Sequence, residues 1–187
     1  GGYANTPLEN LIPVVMRANE KQAGNAIAKD LHYFQDLKMV PTSLGLQRYV
    51  MQLDSSREAN RQKWNMLAPL KGANRLKKRF DTVEVLAESA GNEAIPLLFA
   101  SDVGNARVMA FAGDTTFQWF LTGNRNEHER FWRQMILWLA PKENETDQSV
   151  CSIHGTGYRT FRKNQQIGNT GDRGNIKNHF FTNAGTR

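Results

Sequence analysis

The residues of this chain whose types and spacing could carry chemistry are Asp114, Thr115, Thr116 and His128, with Trp119 between them. The first three leave the end of an apolar run, and His128 follows in what reads as the first turns of a helix. Open α/β sheets hold ligands beyond strand ends and near helix N-termini. A ligand pocket on Asp114, Thr115, Thr116 and His128 would belong to a hydrolase or to a carbohydrate-related binding domain. Trp119 adds an indole that could stack on a sugar or a nucleobase. A plainer reading uses the same residues. Asp114 caps a turn or helix, His128 is a satisfied histidine at the core edge, and Trp64, Trp119, Trp132 and Trp138 pack the core.

The stretch that must position these groups is Arg107–Ala140, RVMAFAGDTTFQWFLTGNRNEHERFWRQMILWLA. Arg107–Phe111 is short and apolar enough for a strand inside a sheet, and Gly113 and Asp114 end it. A polar connection carrying Trp119 follows. The helix opens near Asn124 or Asn126, with Glu127 and Glu129 at the positive end of its dipole. Phe131, Met135, Trp138 and Leu139, with Trp132 and Ile136 beside them, make a broad apolar stripe that a sheet must cover. Pro141 ends the helix.

Upstream, Thr6-Pro7-Leu8-Glu9 has the form of a helix start, with Leu8, Leu11 and Ile12 facing inward. Val14–Met16 and Met39–Thr42 read as short strands. Leu46–Leu53 reads as extended. Ser55 or Ser56 then caps a helix, REANRQKWNML, that lays Trp64 on the core. Lys77-Lys78-Arg79 reads as a solvated turn. Thr82–Glu88 alternates as a half-buried strand does, and Ile95–Ala100 returns as its antiparallel partner. The meander then leads through Arg107–Phe111 into the last helix.

At 187 residues, with 40% hydrophobic side chains, the chain is long enough for one cored domain and an appendage. No apolar run is long enough to cross a bilayer, so no membrane contact is expected. The first residue is Gly, which suggests a natural start further upstream. The single cysteine, Cys151, excludes an internal disulfide and a cysteine zinc site. No cofactor or metal is expected. The net charge of +6 is misleading until it is located. Residues 151–187 hold six Lys or Arg against one Asp, which leaves the first 150 residues near +1. That balance gives no nucleic-acid footprint on the folded part, and RNA or DNA binding through the basic tail is the remaining route. Residues 150–187 are rich in Gly and Asn without apolar periodicity and are expected to be poorly ordered. The tail's GNTGDRG follows no strand and opens no helix, so it makes a poor phosphate loop.

In order along the chain come GGYANTPLENLIPV, MVPTSLGLQRYVMQL, NRQKWNMLAPLKGANRL, VEVLAES with IPLLFA, GNARVMAFAGDTTFQWF and NEHERFWRQMILWLA. Over residues 1–149 this series resembles the glutamine-amidotransferase-like domain of large, often membrane-anchored bacterial proteins that frequently carry von Willebrand factor A-like segments. The resemblance implies a partial flavodoxin-like α/β domain with a mixed sheet, whose first strands and glycine-rich turn lie before Gly1. Phe117 and Gln118 stand where that family has Trp and Arg, and Arg48 stands where it often has His. After the last helix SVCSIHGTGYRTF replaces the family's β-rich continuation, as a truncation or a frame change would produce.

A glutamine amidotransferase needs a thiolate on a tight strand-to-helix turn, a histidine beside it and an acid to orient that histidine. Cys151 lies past the last helix, and His128 has Glu127 and Glu129 only as sequence neighbours, which point elsewhere on a helix. There is also no Walker loop, HExxH or catalytic carboxylate pair. No catalytic residue is assigned. The expectation is a non-catalytic interaction or ligand-sensing domain of a larger bacterial, envelope-associated protein, whose partners are its other domains or other proteins.

Overall fold

The computed structural model describes residues 2–21 and 28–140. The expected tail, 150–187, Cys151 and the helix-ending Pro141 lie outside the described residues. The chain divides into two units, Gly1–Lys142 and Glu143–Arg187, and everything below concerns the first.

Its strands are β1 (His32–Tyr33), β2 (Met39–Pro41), β3 (Ala73–Asn74), β4 (Glu84–Ser89), β5 (Pro96–Val103) and β6 (Ala106–Phe111). The helices are α1 (Arg57–Met66), α2 (Phe117–Leu121) and α3 (Arg125–Leu139), with short 3-10 turns before α1. The fold is α/β, as the sequence predicts. A four-stranded sheet runs β2-β4-β5-β6, and β1 and β3 form a separate two-stranded ribbon. Where a mixed sheet was expected, every pairing among the described strands is antiparallel. For β4, β5 and β6 the connections explain this, because they are short, whereas parallel neighbours need a long crossover. The β5–β6 turn is Gly104-Asn105, and Gly104 takes a φ of +59° that side chains resist.

The alternation read over Thr82–Glu88 breaks at Leu86 and Ala87, which are both fully buried. The register against β5 shifts on either side of Ala87, so a bulge leaves Leu86 outside the ladder. The Leu86 carbonyl accepts from Thr42 N (3.1 Å) instead. Gly45 packs directly on that carbonyl, where a Cβ would sit 1.9 Å from the oxygen. The close approach explains the glycine.

The sheet's two faces are covered differently. On one, α1, α2 and α3 pack over Met39, Leu86, Leu98 and Ala100. On the other, Val14 packs with Val83 and Phe99. Val14 bridges to Lys78, which makes the expected Val14–Met16 strand a single bridge. Pro7–Leu11 is a 3-10 turn with Thr6 before it, and Leu8 and Leu11, expected inside, are 51% and 42% exposed. What holds this segment is polar. Glu9 accepts from Asn5 N (2.6 Å) and pairs with Arg79 (2.7 Å), and these two contacts, the backbone one foremost, hold its carboxyl below the ordinary range. Arg79 is therefore an anchor and not part of a solvated turn.

Leu46–Leu53, expected to be extended, forms two 3-10 turns, Gly45–Gln47 and Tyr49–Met51. Their outer carbonyls are met from α3. Arg130 Nε donates to Gln52 O (2.9 Å), and Gln134 Nε2 donates to Gln52 O (3.0 Å) and to Tyr49 O. Ser56 caps α1 as predicted, its Oγ accepting from Ala59 N (3.1 Å). At the other end of α1, Lys38 Nζ donates to Asn65 O (2.6 Å) and to Leu67 O, a cation on the negative end of the dipole. Burial lowers the pKa of Lys38.

Lys63 ties α1 to the loop before it and to α3, with Nζ 3.3 Å from Asp54 Oδ2 and 3.1 Å from Glu127 Oε1. Glu127, foremost, and Asp54 hold the ammonium above the ordinary lysine pKa. The Asp54 carboxyl is held below its usual range by the Ser56 N–H and then by Lys63. A raised lysine stabilises fully below the unfolded pKa, and the contribution disappears as pH rises through the folded value. A lowered aspartate stabilises above the unfolded pKa, and the contribution disappears as pH falls through the folded value. The urea midpoint of wild type should therefore exceed that of Lys63→Met across neutral pH. The gap should narrow both below the carboxylate range and above the lysine range. A gap that does not change with pH would show that Lys63 acts only through its packed stem.

Candidate functional site

The sequence-predicted site residues surround the turn between β6 and α3. Asp114 is exposed just past β6. Thr115 is half-buried, and its Oγ1 accepts from Lys71 N (3.0 Å). Thr116 is buried, and its Oγ1 accepts from Trp132 Nε1 (3.1 Å). Both hydroxyls thus bind the fold's own donors. His128 is half-buried, and its ring meets Trp119 edge-on at 6.5 Å and Phe120 at 6.2 Å. The structure brings His128 to Trp119 and Thr116 to Trp132. No contact joins Asp114 to His128 among the described residues.

Trp119 does not lie in a polar connection. Phe117–Leu121 is the short helix α2, and Trp119 is fully buried, with Nε1 donating to Ala68 O (2.8 Å). Its ring stands edge-on to Trp64 (5.9 Å) and Phe131 (5.4 Å). An indole buried in this way packs the core and offers no stacking face to a ligand. The predicted stripe of α3 is narrower than expected. Phe131 and Met135 are buried, while Ile136 is 65% exposed and Leu139 also faces out.

A concave polar site lies elsewhere, on the helix-covered face of the sheet where α3 ends. Glu84 pairs with Ala100, Ala100 and Asp102 are two apart on β5, and Asp102 pairs with Arg107. These positions therefore share one face, with the small Ala100 as floor. Arg48, between the two 3-10 turns, forks onto Glu84, its Nε donating to Oε2 at 3.0 Å and its Nη2 pairing with Oε1. Across the recess Arg107 Nε lies 3.7 Å from Asp102 Oδ1, and Nη1 donates to Trp138 O (2.8 Å). The Arg107 guanidinium also lies 5.3 Å from the centre of the Trp138 ring. The recess has a volume of about 340 Å³ and is open to solvent. Sequence reasoning missed this site because its charged groups come from four separate elements. The one available signal was the acidic and basic positions at the β5–β6 hairpin, Asp102 and Arg107, which face each other once the register is fixed.

No family model matches the chain. No curated protein matches it either. Among solved structures, a cytoplasmic protein from Salmonella typhimurium LT2 is similar at 23% identity with a TM-score of 0.46. The similarity covers 75% of this chain and 48% of that one, so the chain spans about half the length of that neighbour.

Replacing Trp119 by Phe keeps a ring but leaves the Ala68 carbonyl without its donor. Trp119→Phe should lower stability by about 1–3 kcal/mol, read as a lower urea midpoint at unchanged slope. His128→Ala should cost less. The reverse order would mean that His128 carries more of this corner than its ring contacts imply.

Proposed function

We propose that this chain is a non-catalytic interaction module of a larger protein, a glutamine-amidotransferase-like α/β segment whose sheet is completed by other parts of the polypeptide. The observation that carries the reading is the open edge of β6. Ala112 N donates to Leu97 O, continuing the β5–β6 ladder. By antiparallel parity Val108 and Ala110 also face β5, and Arg107, Met109 and Phe111 turn their N–H and C=O groups outward. Among the described residues no strand pairs there. Beyond Arg107 the strand is apolar and half-buried along Val108–Phe111, and it has no proline. At the sheet's other edge β2 is three residues long and ends in Pro41, a blunted edge. An edge left like β6 invites a further strand. The resemblance in motif order supplies the occupant, an extended segment of the parent polypeptide, flavodoxin-like strands among its sources.

The same reading places no reaction on the chain. His128 is engaged by two aromatic rings, and His32 Nδ1 lies 3.3 Å from Asn74 Oδ1. The alternative, a hydrolase or carbohydrate-related pocket at Asp114 and His128, has less support because the Thr115 and Thr116 hydroxyls are already bound. Nucleic-acid binding through the basic tail concerns residues outside those described. A bacterial, envelope-associated parent stays part of the proposal through the resemblance alone. No helix among the described residues is long and apolar enough to cross a membrane.

Amide hydrogen exchange tests the edge. The Met109 and Phe111 amides should exchange fast in this chain alone and slowly in the parent protein, while Ala110 is protected in both. Fast exchange at Met109 and Phe111 in the parent would refute the sheet-completion reading. Glutamine hydrolysis should be undetectable, and turnover that vanishes in His128→Ala would overturn the non-catalytic one.

A further inference from the structure

We infer that the recess bounded by Arg48, Glu84, Asp102, Arg107 and Trp138 binds a neutral polyhydroxylated small molecule of monosaccharide size. The inference is independent of strand addition at β6.

The electrostatics select the ligand class. Two guanidinium groups and two carboxylates line the recess, and each cation is already paired with an anion, Arg48 with Glu84 and Arg107 with Asp102. An anionic ligand would compete with a carboxylate for its arginine, and a cationic one would compete with an arginine for its carboxylate. Either exchange takes the nearest counter-charge from the less exposed member of a pair, Glu84 at 30% or Arg107 at 23% side-chain exposure. A hydroxyl both donates and accepts, so it can add to a carboxylate oxygen and a guanidinium N–H without parting them. Each guanidinium has five N–H donors, and the pairs described use only some of them. A molecule with several hydroxyls engages both pairs at once.

The remaining walls fit the same class. Ala100, a small residue, and Trp138, whose indole lies beside the Arg107 guanidinium, both line the recess. A pyranose has an apolar C–H face that packs on an aromatic ring, with its hydroxyls directed around the rim. Arg107 fixes that indole from two directions, through the Trp138 carbonyl and through the ring. Thr82 also lines the recess. The volume of about 340 Å³ falls at the small end of ligand pockets, which suits a single sugar unit.

The indole N–H resonances offer a direct test. Those of Trp64, Trp119 and Trp132 are bonded to Met51 O, Ala68 O and Thr116 Oγ1, and so act as internal references. The full chain is titrated by two-dimensional NMR with methyl glucoside, methyl galactoside, methyl mannoside and N-acetylglucosamine, and separately with inorganic phosphate, glycine and methylammonium. At least one saccharide should shift the Trp138 indole and the Ala100 and Asp102 amides saturably, with the other three indoles unmoved. Glu84→Gln, which preserves shape, should weaken that binding roughly ten-fold, the loss of one charge-assisted hydrogen bond. Trp138→Ala should abolish it. If none of the four saccharides moves the Trp138 signal at roughly 10 mM, well above millimolar affinity, the inference fails. It also fails if phosphate, glycine or methylammonium binds there more tightly than every saccharide, or if Glu84→Gln folds and binds as wild type.

Discussion

Burying an indole is permissible only where its N–H finds an acceptor, and this requirement fixes the helical layer. Trp64 on α1 donates to Met51 O, Trp119 on α2 donates to Ala68 O, and Trp132 on α3 donates to Thr116 Oγ1. Each bond joins a helix to a segment outside it. The rings of Trp64, Trp119 and Phe131 then meet edge to face within 5.4–5.9 Å, so the three helices share one aromatic centre. A shift of any helix would break a directional bond as well as a dispersion contact. The position of the C-terminal end of α3 beside β6 follows from this centre, and Arg107 fastens it through the Trp138 carbonyl. The recess exists because that end is held there.

The sheet beneath is asymmetric in its faces and in its edges. Three helices cover one face with aromatic packing, while the other is closed by a few apolar side chains and the Arg79–Glu9 pair. At the edges, β2 is short and stopped by Pro41, but among the described residues β6 has no strand on its outer side, where the apolar run Val108–Phe111 turns alternate backbone groups outward. Isolated sheets guard such strands with charge, proline or a bulge. Here the bulge is spent inside the sheet at Leu86, where it admits Gly45. On the sheet-completion proposal, this asymmetry marks the edge an added strand would take, beside β6 residues that are only half-buried.

Local signals made much of the fold legible. The Ser56 cap, the apolar runs of β5 and β6 and the opening of α3 near Asn124 depend on residues close in sequence, and they stand where the chain alone places them. Failures occur where a distant side chain supplies what the local chain lacks. Leu46–Leu53 has strand-like composition, yet Arg130 and Gln134 satisfy carbonyls that two tight turns leave over. Leu8 and Leu11 have helical spacing, but a single long-range ion pair holds their segment and leaves them in solvent. Trp119 stands in the run Phe117-Gln118-Trp119-Phe120-Leu121, of which it alone is buried, and its bond to the Ala68 carbonyl shows why it belongs inside. Thr115 and Thr116 were legible as hydroxyls at a strand end. Their partners, Lys71 N and Trp132 Nε1, were not. Arg48, Glu84, Asp102 and Arg107 look like ordinary surface charges until the register of β4, β5 and β6 places three of them on one face.

Arg107 belongs to both proposed features. Its backbone lies on the open side of β6, and its side chain reaches across the covered face to Asp102 and Trp138. Backbone and side chain project at right angles in a strand, so one residue can serve an incoming strand and a ligand without conflict. The two roles still constrain each other. A strand added at β6 would stiffen the backbone that carries this guanidinium, and a filled recess would limit how far β6 could bend to receive that strand. Substituting Arg107 would therefore mix the two effects. Met109, whose N–H and C=O point outward, and Glu84, two strands away, each report on one feature alone. The hairpin that joins β5 to β6 is thus where the architecture of the sheet and the chemistry of the recess meet.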